Sequence, residues 1–284
     1  MPTEREWLEA RGIRPRKHLG QNFLLDLNVT REIVRRASWP AGAPVCEIGP
    51  GGGALTSALL ASDHPVTAVE IDPGLVLLLR ARFEAELAAG RLTLREADFL
   101  EFPLEDPAAS EGPAKRLWLA GNLPYGVTTP VLLKAMTHSR ILAGAVIMVQ
   151  REYGERILAR AGEDSYGSLS VWVAAHATTR SLIRVGRSAF WPRPGVESIV
   201  LELLFPEPPP YAGDPAALER VLRAAFGQRR KMMENALAHG LELDKRRARR
   251  LLEEAGCDPG ARAETLGLER FAALAEGWGR LRDA

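Results

Sequence analysis

Short apolar runs recur along the first 205 positions, and stretches with helical spacing lie between several of them. Such runs are typical of strands that are buried on both faces of a sheet. Strands are predicted at 45–48, 66–71, 92–95, 117–120, 145–149, 181–185 and 198–205. Strands that alternate with helices predict an α/β fold with a doubly wound, mostly parallel sheet of seven strands.

The clearest helical pattern covers residues 74–89, where Asp72 can cap the helix and Pro73 suits its first position. No convincing helical pattern separates the last two predicted strands. Parallel neighbours need a long crossover connection, so we expect one of these two strands to run antiparallel at the edge of the sheet.

The character of the sequence changes after residue 205. The stretch Pro-Glu-Pro-Pro-Pro-Tyr at 206–211 has the composition of a stiff linker. Beyond it no strand pattern occurs, and helices are predicted from Asp214 and Pro215 to about 226, and at 231–239, 244–255 and 268–276. We therefore predict two domains, residues 1–205 with the sheet and a small all-α domain at 206–284.

Composition narrows the class of protein. The chain is 46% hydrophobic and 26% charged, as in ordinary globular proteins. No apolar run approaches the roughly 20 residues of a membrane helix, and the N-terminal residues carry no apolar leader pattern. With Cys46 and Cys257 as the two cysteines, neither a disulfide framework nor a thiolate metal site is expected. These features predict a cytoplasmic protein with no membrane partner and no metal.

Charge is distributed unevenly along the chain. Residues 37–139 contain 7 Lys and Arg against 12 Asp and Glu, although the whole chain has a net charge of +1. Two cationic runs lie near the end, at 229–231 and 245–250. Clustered cations displace counterions from a phosphate backbone, but solvated helix faces show the same pattern. Charge alone leaves both interpretations open.

A Gly-rich turn follows the first predicted strand. Residues 46–56 read Cys-Glu-Ile-Gly-Pro-Gly-Gly-Gly-Ala-Leu-Thr. Glycines permit positive φ and close approach of a ligand, and the following helix offers free amides at its N-terminus. The pattern predicts a site for a nucleoside cofactor, with a plain strand-to-helix turn as the alternative.

The identity of that cofactor stays open at this point. Gly49, Gly51 and Ala54 also fit the dinucleotide fingerprint, and Glu70 lies 21 residues after Gly49, where an acid would bind a ribose. A dehydrogenase is therefore a rival interpretation. Glu47 favours a zwitterionic or cationic ligand, because a carboxylate at that position would repel a pyrophosphate.

Acidic residues follow the second and third predicted strands. Glu70 can accept hydrogen bonds from both ribose hydroxyls, whereas Asp72 is better placed to cap the next helix. Asp98 can accept from an adenine amine with Phe99 beside the ring, although an Asp at such a position also commonly caps a loop.

The sequence Asn122-Leu123-Pro124-Tyr125 follows the fourth predicted strand, at the end where open α/β sheets bind ligands. Methylation of an aromatic amine requires acceptors that hold its N–H groups and favour a pyramidal nitrogen. Asn122 and the carbonyl of Leu123 can provide them, Pro124 can fix the loop, and Tyr125 offers a stacking face. Taken alone, this motif fits a structural turn without function equally well.

Taken together, the motifs resemble the ribosomal RNA adenine N6-dimethyltransferase family over about the first 205 residues. The matching segments are Gly20 to Leu24, Glu47 to Gly53, Val69 to Asp72, Ala97-Asp98, Asn122 to Tyr125 and Phe190 to Ser198. Residues 226–231 and Asn235 also resemble the small helical domain of the family. The resemblance implies a Rossmann-like fold, S-adenosylmethionine as cofactor and RNA as substrate.

The resemblance also implies individual roles. It assigns cofactor binding to Gln21, Asn22, Leu24, Glu47, Gly49, Gly51, Glu70, Asp98 and Asn122. It assigns the catalytic site to Asn122, Leu123, Pro124, Tyr125 and Phe190, with the two aromatic rings on either side of a flipped adenine. The cationic runs then predict RNA contact through Arg229, Arg230, Lys231, Arg246 and Arg247. Without the family, residues 21–23 would be interpreted as a helix start and Phe190 as a loop anchor.

Two branches of this family compete. One dimethylates two adjacent adenines in a hairpin loop near the 3′ end of small-subunit (16S) ribosomal RNA during ribosome assembly, and the other modifies large-subunit RNA and gives antibiotic resistance. Residues 14–21 and 228–231 resemble the first branch more closely. We therefore expect a monomeric enzyme that acts on the small-subunit assembly particle, with a non-catalytic RNA-binding assembly factor as a further alternative.

Overall fold

The structure of the protein is a computed structural model that describes residues 4–16, 19–104, 116–124, 126–228 and 231–282. Its contacts divide the chain into two compact units. The first combines Met1–Gly154 with Arg180–Phe205, and the second combines Glu155–Thr179 with Pro206–Ala284. The second unit thus includes residues 155–179, which lie before the domain boundary predicted at 206. The physical reason is that Val171 and Ala175 share an apolar core with the C-terminal helices.

Seven strands form the main sheet, as predicted. They are β2 (Val45–Ile48), β3 (Val66–Glu70), β4 (Leu92–Glu96), β5 (Leu117–Asn122), β6 (Leu142–Gln150), β7 (Thr178–Val185) and β9 (Ser198–Leu204). Their order is β4-β3-β2-β5-β6-β9-β7, and the pairs from β4 to β6 are parallel. The predicted Rossmann-like, mostly parallel α/β fold is confirmed.

The antiparallel strand occupies a different place from the one expected. Strand β9 runs antiparallel to β6, and it lies between β6 and β7 instead of at the edge. Nearly every residue of β9 is buried, whereas half of β7 is exposed. A strand without exposed positions is stable only inside a sheet, which explains the order.

The first unit also contains a two-stranded pair, β1 (Phe23–Leu24) with β8 (Phe190–Trp191), and several helices. The helices are α1 (Glu4–Glu9), α2 (Leu27–Arg36), α3 (Ala54–Ala61), α4 (Pro73–Arg82), α5 (Glu84–Ala88) and α6 (Thr128–Thr137), and α7 (Arg151–Leu158) begins there. Asp72 caps α4 by accepting from the amide of Gly74, as predicted. The single helix predicted at 74–89 is interrupted at Phe83, whose φ is −116° and whose ring is buried.

Helices α8 (Ser168–His176), α9 (Pro215–Phe226), α10 (Met233–Gly240), α11 (Lys245–Glu254) and α12 (Leu268–Arg282) form the second unit. The four predicted C-terminal helices are confirmed. Helix α12 continues past its predicted end at 276, through Gly277. A Cβ at Gly277 would lie 2.7 Å from the side chain of Leu251, so the glycine lets α11 and α12 approach closely.

No described helix is both long and apolar enough to cross a membrane. In the same part of the chain, no cluster of three or more His, Cys, Asp or Glu could hold a metal ion.

Candidate active site

A cavity of about 460 Å³ opens at the carboxyl ends of β2, β3 and β5, where parallel sheets bind their ligands. Its wall includes most of the predicted site residues, namely Gln21, Asn22, Leu24, Glu47, Gly49, Gly51, Glu70, Asp98, Asn122, Leu123 and Pro124. Tyr125 lies outside the described residues, as do Arg229 and Arg230. The tertiary structure therefore brings together residues that are up to about a hundred positions apart in the sequence.

The Gly-rich turn adopts the conformation that its sequence predicts. Gly49, Gly51 and Gly53 have φ values of 60°, 58° and 87°, which residues with a side chain rarely adopt. A Cβ at Gly51 would also lie 3.1 Å from the ring of Phe23. The turn therefore needs glycine for its backbone conformation and for the close approach of the N-terminal segment.

Glu47 lines the cavity and is 1% exposed. Its Oε2 accepts from the hydroxyl of Thr56 at 2.6 Å, and the amide of Thr56 also donates to the carboxylate. Burial raises the pKa of Glu47 to about 7, partly offset by the bonds from Thr56. A cation would stabilise the charged form of such a buried carboxyl group, so Glu47 could pair with a ligand such as an ammonium group.

The raised pKa of Glu47 predicts an effect on stability. Because the folded pKa exceeds the ordinary value of 4.5, stability should fall as pH rises from about 4.5 to 7. Glu47→Gln keeps an acceptor for Thr56 and removes the buried charge. We expect it to raise the free energy of unfolding by about 3 kcal/mol above pH 7 and by almost nothing near pH 4.5. Urea unfolding at the two pH values checks this, and an equal gain at both would contradict it.

Glu70 connects the Gly-rich turn to β3. Its Oε2 accepts from the amide of Gly51 at 3.2 Å, and its Oε1 accepts from the amide of Asp72 at 3.0 Å. Burial raises the pKa of Glu70, and the backbone bonds partly offset this effect. The carboxylate is therefore fixed at the cavity wall and also stabilises the turn that forms the floor.

The N-terminal segment is held at the cavity wall by a second carboxylate, Asp72, which the sequence identified only as a helix cap. Asp72 Oδ2 accepts from Gln21 Nε2 at 3.0 Å and lies 3.3 Å from Arg16 Nε. The same Gln21 accepts from the amide of Arg16 at 2.8 Å. These bonds explain how Gln21 comes to line the cavity although it is distant from Asp72 in sequence.

Asn122 ends β5, and its side chain has a defined orientation. Its Nδ2 donates to the carbonyl of Asn22 at 2.8 Å. The side-chain oxygen Oδ1 therefore points away from Asn22 and can act as an acceptor for another group. Gly121 precedes it, and a Cβ there would lie 2.6 Å from the carbonyl of Ile48 on β2. Leu123 then hydrogen-bonds to Met148 on β6, which fixes the loop against the sheet.

Asp98 lies in the loop after β4 and is half-buried. Its Oδ1 accepts from the amide of Leu100 at 2.8 Å, so the loop-capping interpretation holds for this atom. The residue also lines the cavity, and the neighbouring Phe99 is buried and lines it too. The cap and a contact with a ligand are compatible, because a carboxylate has two oxygens.

Phe190 occupies an unexpected environment. It pairs with Leu24 in the β1–β8 pair, is 5% exposed and belongs to the main apolar core of the first unit. Among the described residues it is not part of the cavity wall. Its role as a stacking face for adenine therefore stays a prediction.

Sequence reasoning missed most of the apolar wall. Ile71 is 48% exposed although it is large and apolar, and it lines the cavity directly after Glu70. Its position next to Glu70, a predicted cofactor-binding residue, was the available signal. The other wall residues that the sequence did not identify come from separate elements and include Phe23, Leu75, Leu100, Val127 and Met148. Apolar residues carry no chemical signature, so their convergence is visible only in three dimensions.

In the second unit, the predicted cationic residues divide into two groups. Arg249 and Arg250 pair with Glu234 and Glu254. Lys231, Arg246 and Arg247 are exposed, and Arg247 lies 3.7 Å from Asp244, the cap of α11. The second group is the one that can reach a phosphate backbone without breaking a short ion pair.

Comparison with known proteins identifies the family. The model of the ribosomal RNA adenine dimethylase family matches residues 12–276. The chain belongs to this family. The predicted resemblance is thereby confirmed, and the match decides against the dehydrogenase that the Gly-rich motif had left open.

Relatives of this dimethylase match along nearly the whole chain. "Ribosomal RNA small subunit methyltransferase A" of Phenylobacterium zucineum is 44% identical, over 100% of this chain and 95% of its own. The protein of the same name from Moorella thermoacetica is 41% identical, over 94% and 93%. The chain therefore covers both relatives nearly completely.

Solved structures agree with the fold. The crystal structure of a dimethyladenosine transferase from Plasmodium falciparum has a TM-score of 0.75 at 23% identity, over 90% of this chain and 96% of the other. That of the 23S rRNA methyltransferase ErmE has a TM-score of 0.67 at 26% identity, over 90% and 99%. Both share the Rossmann-like architecture.

Proposed function

We propose that this dimethylase transfers methyl groups from S-adenosylmethionine to N6 of two adjacent adenines in a hairpin loop near the 3′ end of small-subunit (16S) ribosomal RNA. The product is N6,N6-dimethyladenosine, formed during ribosome assembly. The observation that carries the proposal is the convergence of Glu47, Glu70 and Asn122 on one cavity in a chain of this family. The protein is further proposed to act as a cytoplasmic monomer.

The cavity fits the proposed cofactor by the chemistry of its donors and acceptors. The buried carboxyl of Glu47 suits the ammonium of the methionine part, and the Gly-rich turn lets the ligand approach the backbone. Glu70 suits the ribose hydroxyls, and Asp98 suits the adenine amine. When bound, S-adenosylmethionine supplies an electrophilic methyl group on a sulfonium.

Asn122 and Leu123 would act on the target amine. The Oδ1 of Asn122 and the carbonyl of Leu123 can accept its two N–H groups and so favour a pyramidal nitrogen. The bond from Asn122 to the carbonyl of Asn22 fixes this acceptor in advance. The amine loses its proton only after it has become cationic, so positioning replaces a general base.

Tyr125 is proposed to stack on the flipped adenine with its ring, so its hydroxyl should matter little. Tyr125→Ala is expected to lower kcat/KM for RNA by about 10- to 100-fold, because a stacked base contributes about 1–3 kcal/mol. Tyr125→Phe should stay within about threefold of the unchanged protein. Steady-state kinetics on RNA fragments gives both values, and a larger loss for Phe than for Ala would refute stacking.

The small-subunit branch is supported by the relatives. Proteins named "Ribosomal RNA small subunit methyltransferase A" are 44% and 41% identical, whereas the large-subunit enzyme ErmE is 26% identical. Radiolabelled S-adenosylmethionine should place label in small subunits that lack the modification. Label recovered only in large-subunit RNA would move the protein to the resistance branch. No label in either RNA would favour the non-catalytic assembly factor.

Residues 206–284 are proposed to bind RNA through the exposed side chains of Arg246 and Arg247 on α11. Arg246→Ala with Arg247→Ala should weaken binding of small-subunit RNA and lower the slope of log affinity against log salt by about 1–2. Filter binding across salt concentrations measures this. Arg250→Ala is the matched control, because its guanidinium pairs with Glu254 at 2.7 Å. An equal change of slope in the control would contradict the assignment.

A further inference from the structure

The loop that follows β4 is held by a lysine from another element. Lys134 lies on α6 and is half-buried. Its ammonium donates to the carbonyls of Phe99, at 2.6 Å, of Leu100, at 3.0 Å, and of Phe102. All three N–H groups of the ammonium therefore have acceptors in one short stretch of backbone.

A second contact joins the same two elements. The Nζ of Lys134 lies 4.9 Å from the centre of the Phe99 ring, within the range of a cation–π interaction. Burial lowers the pKa of Lys134. The ammonium is partly desolvated, and it contacts three carbonyls and one aromatic ring. These contacts hold the Lys134 side chain in one conformation, whereas an ordinary surface lysine samples many.

The loop itself is a tight turn that begins at Asp98. The amide of Phe102 donates to the carbonyl of Asp98 at 2.9 Å, and the amide of Leu100 donates to its Oδ1 at 2.8 Å. These bonds use the amides on one side of the turn. The carbonyls on the other side accept from Lys134, and that of Phe99 also accepts from the amide of Phe102 at 3.3 Å. Loss of the ammonium would therefore remove a donor from all three carbonyls.

We propose that Lys134 is a positioning residue that fixes the loop at 98–102 and thereby directs the Asp98 carboxylate at the adenine amine of the cofactor. The inference rests on the proposed function, in which Asp98 accepts from that amine. Lys134 is not part of the cavity wall, whereas Asp98, Phe99 and Leu100 are, so it acts on the site through the loop.

The test compares two ligands that differ only in the group that Asp98 recognises. Calorimetry measures the Kd of S-adenosylhomocysteine and of its analogue with hydrogen in place of the 6-amino group. A hydrogen bond to a charged acceptor makes the unchanged protein prefer the amine by about 10-fold or more. Asp98→Ala should bring the ratio of the two Kd values close to one.

Lys134→Met removes the three donors and keeps the length of the side chain. We expect its ratio to fall to within about threefold of one, with a smaller fall for Lys134→Arg, which keeps the charge. Lys245→Met, an exposed lysine at the start of α11, is the control and should keep the full ratio. Thermal melts show which variants fold, and Lys134→Arg carries the test if Lys134→Met does not.

Two results would overturn the inference while leaving the proposed function intact. One is a full ratio in a folded Lys134 variant, and the other is an equal loss of affinity for both ligands, which indicates a merely structural role. If the unchanged protein binds neither ligand, or does not distinguish them, the assignment of Asp98 fails and the inference fails with it.

Discussion

Asn122→Ala is expected to reduce methyl transfer to ribosomal RNA by about 100- to 1,000-fold, as loss of a preorganised polar group at a reacting centre commonly does. The affinity for S-adenosylhomocysteine should stay within about tenfold, because one neutral hydrogen bond contributes about 1 kcal/mol. The physical basis is the orientation of the Asn122 side chain. Its Nδ2 donates to the carbonyl of Asn22, which leaves its Oδ1 available to the target amine.

Single-turnover kinetics with saturating RNA measures the rate, and calorimetry measures the affinity. Asn28→Ala is the matched control, since Asn28 lies on α2 and is exposed. Turnover within tenfold of the unchanged protein in Asn122→Ala would show that Asn122 is not the essential acceptor. The backbone carbonyl of Leu123 would then have to hold the amine alone.

Glu70→Ala is expected to weaken cofactor binding by at least about 100-fold, the second large effect. The change removes the proposed ribose contact and leaves the amides of Gly51 and Asp72 without their acceptor. Each bond to a charged group contributes about 1.5–3 kcal/mol. Stability should fall as well, because those amides lie at the Gly-rich turn and at the cap of α4.

Calorimetry with S-adenosylhomocysteine and a thermal melt separate the two effects. Glu96→Ala is the control, because Glu96 is the register partner of Glu70 on β4 and is exposed. An affinity within fivefold of the unchanged protein in Glu70→Ala would argue against a ribose contact. Loss of stability with normal affinity would limit Glu70 to its bonds within the turn.

Much of the fold follows from local pattern. All seven strands of the sheet were predicted to within a few residues. For the five strands from β2 to β6, the reason is that a buried parallel strand is a short apolar run that needs no partner to be recognised. The starts of α4 and α9 at Asp72 and Asp214 were also evident from local sequence, since an Asp before a Pro is a helix-start signal that needs no tertiary partner.

Errors arose where a neighbour decides the outcome. The place of β9 depends on its burial beside β6, and the membership of residues 155–179 depends on the core formed with α9 and α12. The break at Phe83 depends on where its ring packs. Local sequence has no information about these partners.

The candidate site divides in the same way. The sequence by itself determined its candidate chemistry: a Gly-rich turn, acids near the ends of three successive strands and the Asn122 motif, because polar groups that act on a ligand must be specific residue types at specific strand ends. Only the tertiary structure decided how they are held, through Asp72 with Gln21, Asn22 with Asn122, and Lys134 with the Asp98 loop. These contacts join residues far apart in the chain, and their geometry comes from the packing of the sheet and helices, which no local pattern encodes.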